Sequence, residues 1–138
     1  LPLGPPTDAP ARLDTAPQPA PPAELVLRVT LGPREDWFTP QALRDLTSRT
    51  YRVSPAGNRI GLRTEGPTLE RARSGELASE AMVLGAIQVP PDGLPLIFLA
   101  DHPTTGGYPV PAVVHPADLP GAAQARPGTP LRFVLVRR

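Results

Sequence analysis

Leu25, Leu27 and Val29 alternate with Val26, Arg28 and Thr30, the two-residue period of a strand with one buried and one mixed face. Gly32-Pro33 stops it. Thr39 before Pro40 has the form of an N-cap with proline at the first helical position. Phe38 and Leu43 have the spacing of a hydrophobic staple, so a short helix is predicted from Pro40 to Thr47, with Trp37 and Phe38 anchoring it to the core. Tyr51–Val53 is a short strand, residues 54–58 a turn, and Arg59–Arg63 a strand whose two arginines share one face. Glu65-Gly66-Pro67 is another turn, and the polar stretch from Arg71 to Glu76 is a surface loop.

Ser79 to Tyr108 is the richest stretch. It predicts a β-hairpin whose first arm, residues 79–89, is mostly apolar and broken by Gly85. The turn is Pro91-Asp92-Gly93, and the second arm, Leu96–Ala100, is apolar throughout, as a strand buried on both faces is. Beyond it lie a strand at 110–114, a helical turn starting at Pro116, a turn at 126–129, a closing strand at 131–136 and a surface Arg137-Arg138 end. About seven short strands and one clear helix, with turn signals every 8 to 15 residues, predict a mainly β protein. An antiparallel barrel or sandwich fits this better than alternating βαβ units.

With 138 residues the chain has the size of one domain. Residues 1–23, dense in proline with Ala, Thr and Asp between, read as an extended linker, leaving 24–138 as the packed domain. The chain starts at Leu1 rather than Met, which reads as a piece of a longer polypeptide. Its 14 cationic and 13 acidic residues balance, giving no field for nucleic acid or a membrane surface. All the cations are Arg, so a lysine Schiff base, a Walker-type phosphate lysine and a biotinylated lysine are excluded within the chain. The absence of Cys removes disulfides, thiolate metal sites and a cysteine nucleophile. No secretory leader or membrane span is legible, and a soluble cytoplasmic protein is expected.

The candidate chemistry lies just past the second hairpin arm. Asp101 and His102 offer a carboxylate and an imidazole for general acid–base work. In an extended strand they would point to opposite faces, so each needs its own partner. Thr104-Thr105-Gly106-Gly107 offers hydroxyls and closely approachable backbone N–H groups for a ligand, with Tyr108 as a cover. Gln88, on an apolar arm, must be hydrogen-bonded either to backbone or to a ligand amide. Arg59 or Arg63 either faces solvent or forks onto a carboxylate or phosphate. His102, His115, Asp101 and Asp118 match no zinc-site spacing, so no metal site is expected.

The segments GAIQVPPDG, LADHPTTGGYP and ADLPGAAQARPG, together with SPAGNRIGLRTEGP and SGELASEAMVLGAIQVPP, carry a resemblance running from about Tyr51 to Val136. The chain resembles the carboxyltransferase-type family that includes allophanate hydrolase subunit 2, the C subunit of 5-oxoprolinase and the antagonist of a sporulation-kinase inhibitor. It departs from the family pattern at Ala81, Leu94 and Pro103. The resemblance implies a cyclophilin-like β-barrel forming the C-terminal half of a larger polypeptide, with Leu1–Gly4 the stub of a missing N-terminal half. It places Gln88, Asp101, His102 and the Thr-Thr-Gly-Gly loop near a site for biotin and an amide-bearing acceptor. The activity implied first is ATP-dependent hydrolysis of 5-oxo-L-proline together with the A and B subunits of 5-oxoprolinase, the ATP being bound outside this chain. The alternatives are a biotin-dependent carboxyltransferase acting on urea or a related amide, with its carrier encoded elsewhere, and a non-catalytic regulator of a kinase-inhibitor-type partner.

Overall fold

The computed structural model describes residues 3–5, 16–17 and 20–136. Most of the expected 1–23 linker and the Arg137-Arg138 end lie outside the described residues. The strands are β1 (Leu25–Leu31), β2 (Tyr51–Val53), β3 (Gly61–Glu65), β4 (Glu80–Ala81), β5 (Ala86–Gln88), β6 (Leu96–Phe98), β7 (Thr105–Gly106), β8 (Ala112–Val114) and β9 (Pro130–Leu135). The helices are α1 (Pro40–Ser48) and α2 (Leu119–Gln124).

Seven strands close into a barrel in the order β1-β8-β5-β6-β3-β2-β9, while β4 and β7 form a separate two-stranded ribbon. Every join in the barrel is antiparallel except the parallel pair of β1 and β9, where Leu25 lies opposite Leu131 and Val29 opposite Leu135. Closure leaves these strands without free edges. The β1 alternation is realised: Leu25, Leu27 and Val29 are buried, whereas Val26 and Arg28 face out. They join Tyr51, Val53, Ile87, Ile97, Leu131 and Phe133 in one core.

α1 forms for the local reasons the sequence supplies. The Thr39 hydroxyl accepts from the Ala42 N–H at 3.1 Å, Pro40 has no N–H to leave unsatisfied, and Ala42 and Leu46 are the buried residues of its inner face. Phe38 is buried in the core, and Trp37 and Leu43 pack against it. α2 extends the expected helical turn after Pro116 and carries Leu119 and Ala122 into the same core.

The hairpin at the centre of the chain forms, with Ile87 opposite Ile97 and Gln88 opposite Leu96. Its Pro-Asp-Gly turn closes through the Gly93 N–H to Pro90 O bond, with Gly93 at φ 78°. Its first arm is two strands rather than one. At Gly85 φ is 84°, the chain turns, and Glu80-Ala81 pairs with Gly106-Thr105 instead of continuing the barrel. The second arm is covered on both faces, Ile97 by the barrel core and Phe98 by an outer cluster with Met82, Ala86 and Val110. It ends sooner than its apolar run, because the His102 N–H to Leu99 O bond at 3.1 Å folds Ala100-Asp101 into a turn. Strand β3 likewise begins at Gly61, so Arg59 sits in the bend before it and only Arg63 lies on the strand. The loop after Leu69 is tied down at its start, where the Arg71 guanidinium donates to Val89 O at 2.9 Å and Arg73 meets Asp36 at 2.6 Å.

Candidate functional site

The candidate residues divide into two groups around the β6–β7 connection. In the first, Asp101 meets Arg59, Nε to Oδ2, at 3.2 Å. Backbone bonds hold the two segments together: the Leu99 N–H donates to Ile60 O at 2.9 Å and the Asp101 N–H to Arg59 O at 3.1 Å. Asn58 shapes the bend before them, its carbonyl Oδ1 accepting from the N–H groups of Ile60 and Gly61. Arg59 and Asp101 stand at the rim of a cleft of about 370 Å³, lined by Val53, Ser54, Leu62, Leu99, Ala123 and Ala125 among others. These lining residues come from β2 and the residue after it, β3, the residue after β6, α2 and the segment following α2.

The second group is packed rather than open. Gln88 is buried, and its Nε2 donates to Tyr108 O through a long 3.5 Å contact. The amide occupies the space beside Gly106, where a Cβ would come within 2.6 Å of Gln88 Nε2. Neither Gly106 nor Gly107 has a positive φ. The first glycine is therefore explained by close approach to Gln88, and the second has ordinary room, with Leu77 O 3.5 Å from a Cβ built on it. The Thr104 carbonyl accepts from the Met82 N–H at 2.9 Å, and Thr105-Gly106 pairs with Glu80-Ala81. The Thr104 and Thr105 side chains, like Tyr108, are exposed.

His102 lies between the two groups. Its ring stacks obliquely on Phe98, centroids 6.0 Å apart, and its Nδ1 is 2.8 Å from the Pro103 carbonyl. A carbonyl only accepts, so this bond assigns the proton to Nδ1 and leaves the Nε2 lone pair to take a proton from elsewhere. Asp101 and His102 are thus not a dyad: one partners Arg59 and the other a backbone carbonyl. His115 caps the turn after β8, its Nδ1 accepting from the Ala117 N–H at 3.2 Å. Among the described residues no group of three or more His, Cys, Asp or Glu side chains is placed to hold a metal ion.

The sequence reading missed the clamp beneath the ribbon. The Arg34 guanidinium forks onto both carboxylate oxygens of Glu80, and this hydrogen bonding holds the Glu80 carboxyl below the usual glutamate range. Two charges distant in sequence give no local signal of pairing. Leu62, Leu99 and Ala125 were legible only as apolar residues, and nothing local marks them as the lining of one cleft.

A closed β-barrel with a polar rim and a pinned two-stranded ribbon is the class of domain these features define. The chain belongs to the carboxyltransferase domain family, subdomains A and B, whose family model matches residues 1–135. It is 47% identical to the 5-oxoprolinase C subunit of Haemophilus influenzae over 79 residues, covering 57% of this chain and 26% of that protein. Against the 5-oxoprolinase C subunit of Escherichia coli it is 37% identical over 109 residues, covering 78% of this chain and 35% of that one. The chain therefore spans about a quarter to a third of the length of these relatives. Among solved structures it is similar to TTHA0988, at 41% identity and a TM-score of 0.73 over 91% of this chain and 25% of that one. It is also similar to the urea amidolyase of K. lactis, at 28% identity and a TM-score of 0.80 over 88% of this chain and 8% of that one. No helix among the described residues is long and apolar enough to cross a membrane.

Proposed function

We propose that this chain is part of the C subunit of a 5-oxoprolinase, acting in the cytoplasm with the A and B subunits in the ATP-dependent hydrolysis of 5-oxo-L-proline to L-glutamate. The observation that carries this reading is its identity of 47% and 37% to two proteins of that name. Opening a lactam needs a proton acceptor and hydrogen-bond donors aimed at the oxygen on which charge develops. His102 Nε2, the ring nitrogen not engaged by the Pro103 carbonyl, is suited to the first task. The exposed Thr104 and Thr105 hydroxyls are suited to the second. Tyr108 covers the loop. With no lysine in the chain, its residues do not fit a Walker-type phosphate site, and ATP is assigned to the other polypeptides of the complex.

One rim with so few reacting groups does not enclose a substrate. The chain alone is therefore inactive, and partner polypeptides together with the rest of its own one complete the site. The test is glutamate release by a complex of the A and B subunits with the full-length protein that contains this chain. His102→Ala and Thr105→Ala each lower turnover by roughly 10² or more. Wild-type turnover in both variants, in an intact complex, removes the loop from the mechanism.

A second reading is favoured by the barrel's TM-score of 0.80 to a urea amidolyase and by 34% identity over 122 residues to the urea amidolyase of Saccharomyces cerevisiae. On it the chain belongs to a biotin-dependent carboxyltransferase acting on urea or a related amide. Biotin is then tethered outside the residues of this chain, which has no lysine to hold it. Sensitivity to avidin distinguishes the two: inhibition of the assembled enzyme supports the carboxyltransferase, and its absence the oxoprolinase.

A further inference from the structure

The cleft at the barrel mouth has a chemistry that the Thr104–Gly107 loop lacks. Its floor is apolar, with Val53, Leu62 and Leu99 drawn from the core. Its size, about 370 Å³, lies at the small end of ligand pockets, which run from roughly 300 to 1,000 Å³. At the rim, Arg59 and Asp101 stand side by side. Their tips are exposed, but their backbones are fixed by the Leu99–Ile60 and Asp101–Arg59 bonds and by the Asn58 turn. The contact between them uses one of five guanidinium N–H donors and one of two carboxylate oxygens.

A donor beside an acceptor is the complement of a cis amide edge. In a small lactam or cyclic urea, ring closure forces the C=O and N–H onto the same side. The C=O then accepts from Arg59 while the N–H donates to Asp101, and the ring methylenes settle on Leu62 and Leu99. An open-chain trans amide points the two groups in opposite directions and cannot use both. The loop offers no comparable seat, since Gln88 already fills the space beside Gly106.

We propose that the cleft between the Arg59–Asp101 pair and the Leu62–Leu99 floor is a binding site for a small cyclic cis amide, and that it seats the ring while the neighbouring His102–Thr105 connection supplies the reacting groups. The proposal rests on the reading of the chain as part of an amide-processing enzyme. It adds where the amide sits and which edge is read.

The test is a titration of the ¹⁵N-labelled chain with 2-pyrrolidinone, followed by amide chemical shifts. Shifts should cluster at Gly57, Asn58, Leu62 and Leu99. N-methyl-2-pyrrolidinone, which has no N–H to give Asp101, should bind about tenfold or more weakly, as expected when an acceptor in the site is left without its hydrogen bond. Arg59→Ala should weaken 2-pyrrolidinone by a similar factor. Ala123→Trp, at an exposed position of α2, should block the cleft with the folded spectrum intact. A parallel titration with 2-imidazolidinone separates the sources, the tighter ring naming a lactam or a ureido ligand. Shifts centred on Gln88, Gly106 and Tyr108, equal affinity for the two pyrrolidinones, or no saturable shift would each overturn the proposal.

Neither ATP nor another polypeptide enters this titration. Lactam binding in the cleft without turnover by the reconstituted complex therefore sinks the oxoprolinase reading alone. Turnover with KM unchanged in Arg59→Ala and Ala123→Trp sinks the cleft alone.

Discussion

Arg34 and Glu80 join through both of their paired polar atoms, Nε to Oε2 at 3.0 Å and Nη2 to Oε1, and so tie the segment after β1 to a ribbon with only two residues in each strand. Arg34 is itself held on the barrel by its N–H to Val110 O bond at 3.2 Å. So short a ribbon has little area of its own to bury, and the clamp supplies the missing constraint. Glu80→Gln should raise hydrogen exchange at the Met82 amide, which bonds Thr104 O, by roughly tenfold. The Ile87 and Ile97 amides of the barrel should keep their protection. Equal acceleration in ribbon and barrel would show that the clamp stabilises the whole fold instead.

The same pair sets an acid dependence. Hydrogen bonding to Arg34 lowers the Glu80 pKa, and hydrogen bonding to Arg28 lowers that of Asp118. Folded-state values below the unfolded ones mean that the stabilisation is fully present above the ordinary carboxylate range, about pH 4. It is lost as pH falls through the lowered values. Melting temperature should therefore drop below about pH 4, and Asp118→Asn should make that drop shallower. An unchanged acid limb in Asp118→Asn removes this pair from the account.

Ile97 and Phe98 test whether the second hairpin arm is covered on both faces. Ile97→Ala and Phe98→Ala should each cost about 2 to 5 kcal/mol in denaturant unfolding, because each empties a packed site, one inside the barrel and one in the outer cluster. A near-neutral Phe98→Ala would mean that the outer cluster contributes little.

Gly106 and Gly107 should behave differently. A Cβ at Gly106 would lie 2.6 Å from Gln88 Nε2, so Gly106→Ala should destabilise by about 1 to 3 kcal/mol. Gln88→Ala in the same chain should recover part of that loss. Gly107→Ala should be tolerated in unfolding measurements. An additive double mutant would show that Gln88 is not the obstructing group.

Tyr51 is fully buried, stacked edge-on against Phe133 at 5.6 Å, and its hydroxyl has no hydrogen-bond partner among the described residues. Burial, with a lesser contribution from Asp45, pushes its pKa up to about 12. The raised folded value means full stabilisation below the unfolded value of about 10, lost as pH rises towards 12. Tyr51→Phe should be as stable as the wild type or more so at neutral pH, and should keep more of its melting temperature above pH 10. A clear loss at neutral pH would mean that the hydroxyl has a partner after all.

Several parts of the fold were legible in the chain because their causes are local. Thr39-Pro40 starts α1 with a side-chain cap and a residue that has no N–H to satisfy. Gly93 closes the hairpin because its φ is positive, and the alternation along β1 sorts Leu27 from Arg28. The run Asp101-His102 through Tyr108 was visible as polar chemistry leaving an apolar arm. Its turn at Ala100-Asp101 was not, since neither position is a Gly or Pro that would mark one within the apolar run.

Sequence alone therefore determined the mainly β class, the first helix, the hairpin turn and the stretch that holds the candidate chemistry, all of which depend on residues within a few positions of one another. Tertiary structure decided which strands are neighbours, including the parallel seam of β1 and β9 that closes the barrel, and it moved Glu80-Ala81 out of the hairpin arm to face Gly106. It also decided that Asp101 belongs with Arg59 at an apolar cleft while Gln88 is packed beneath Gly106. The physical reason is that long-range register and closure follow from burying all the apolar faces at once. No short window of sequence carries that constraint.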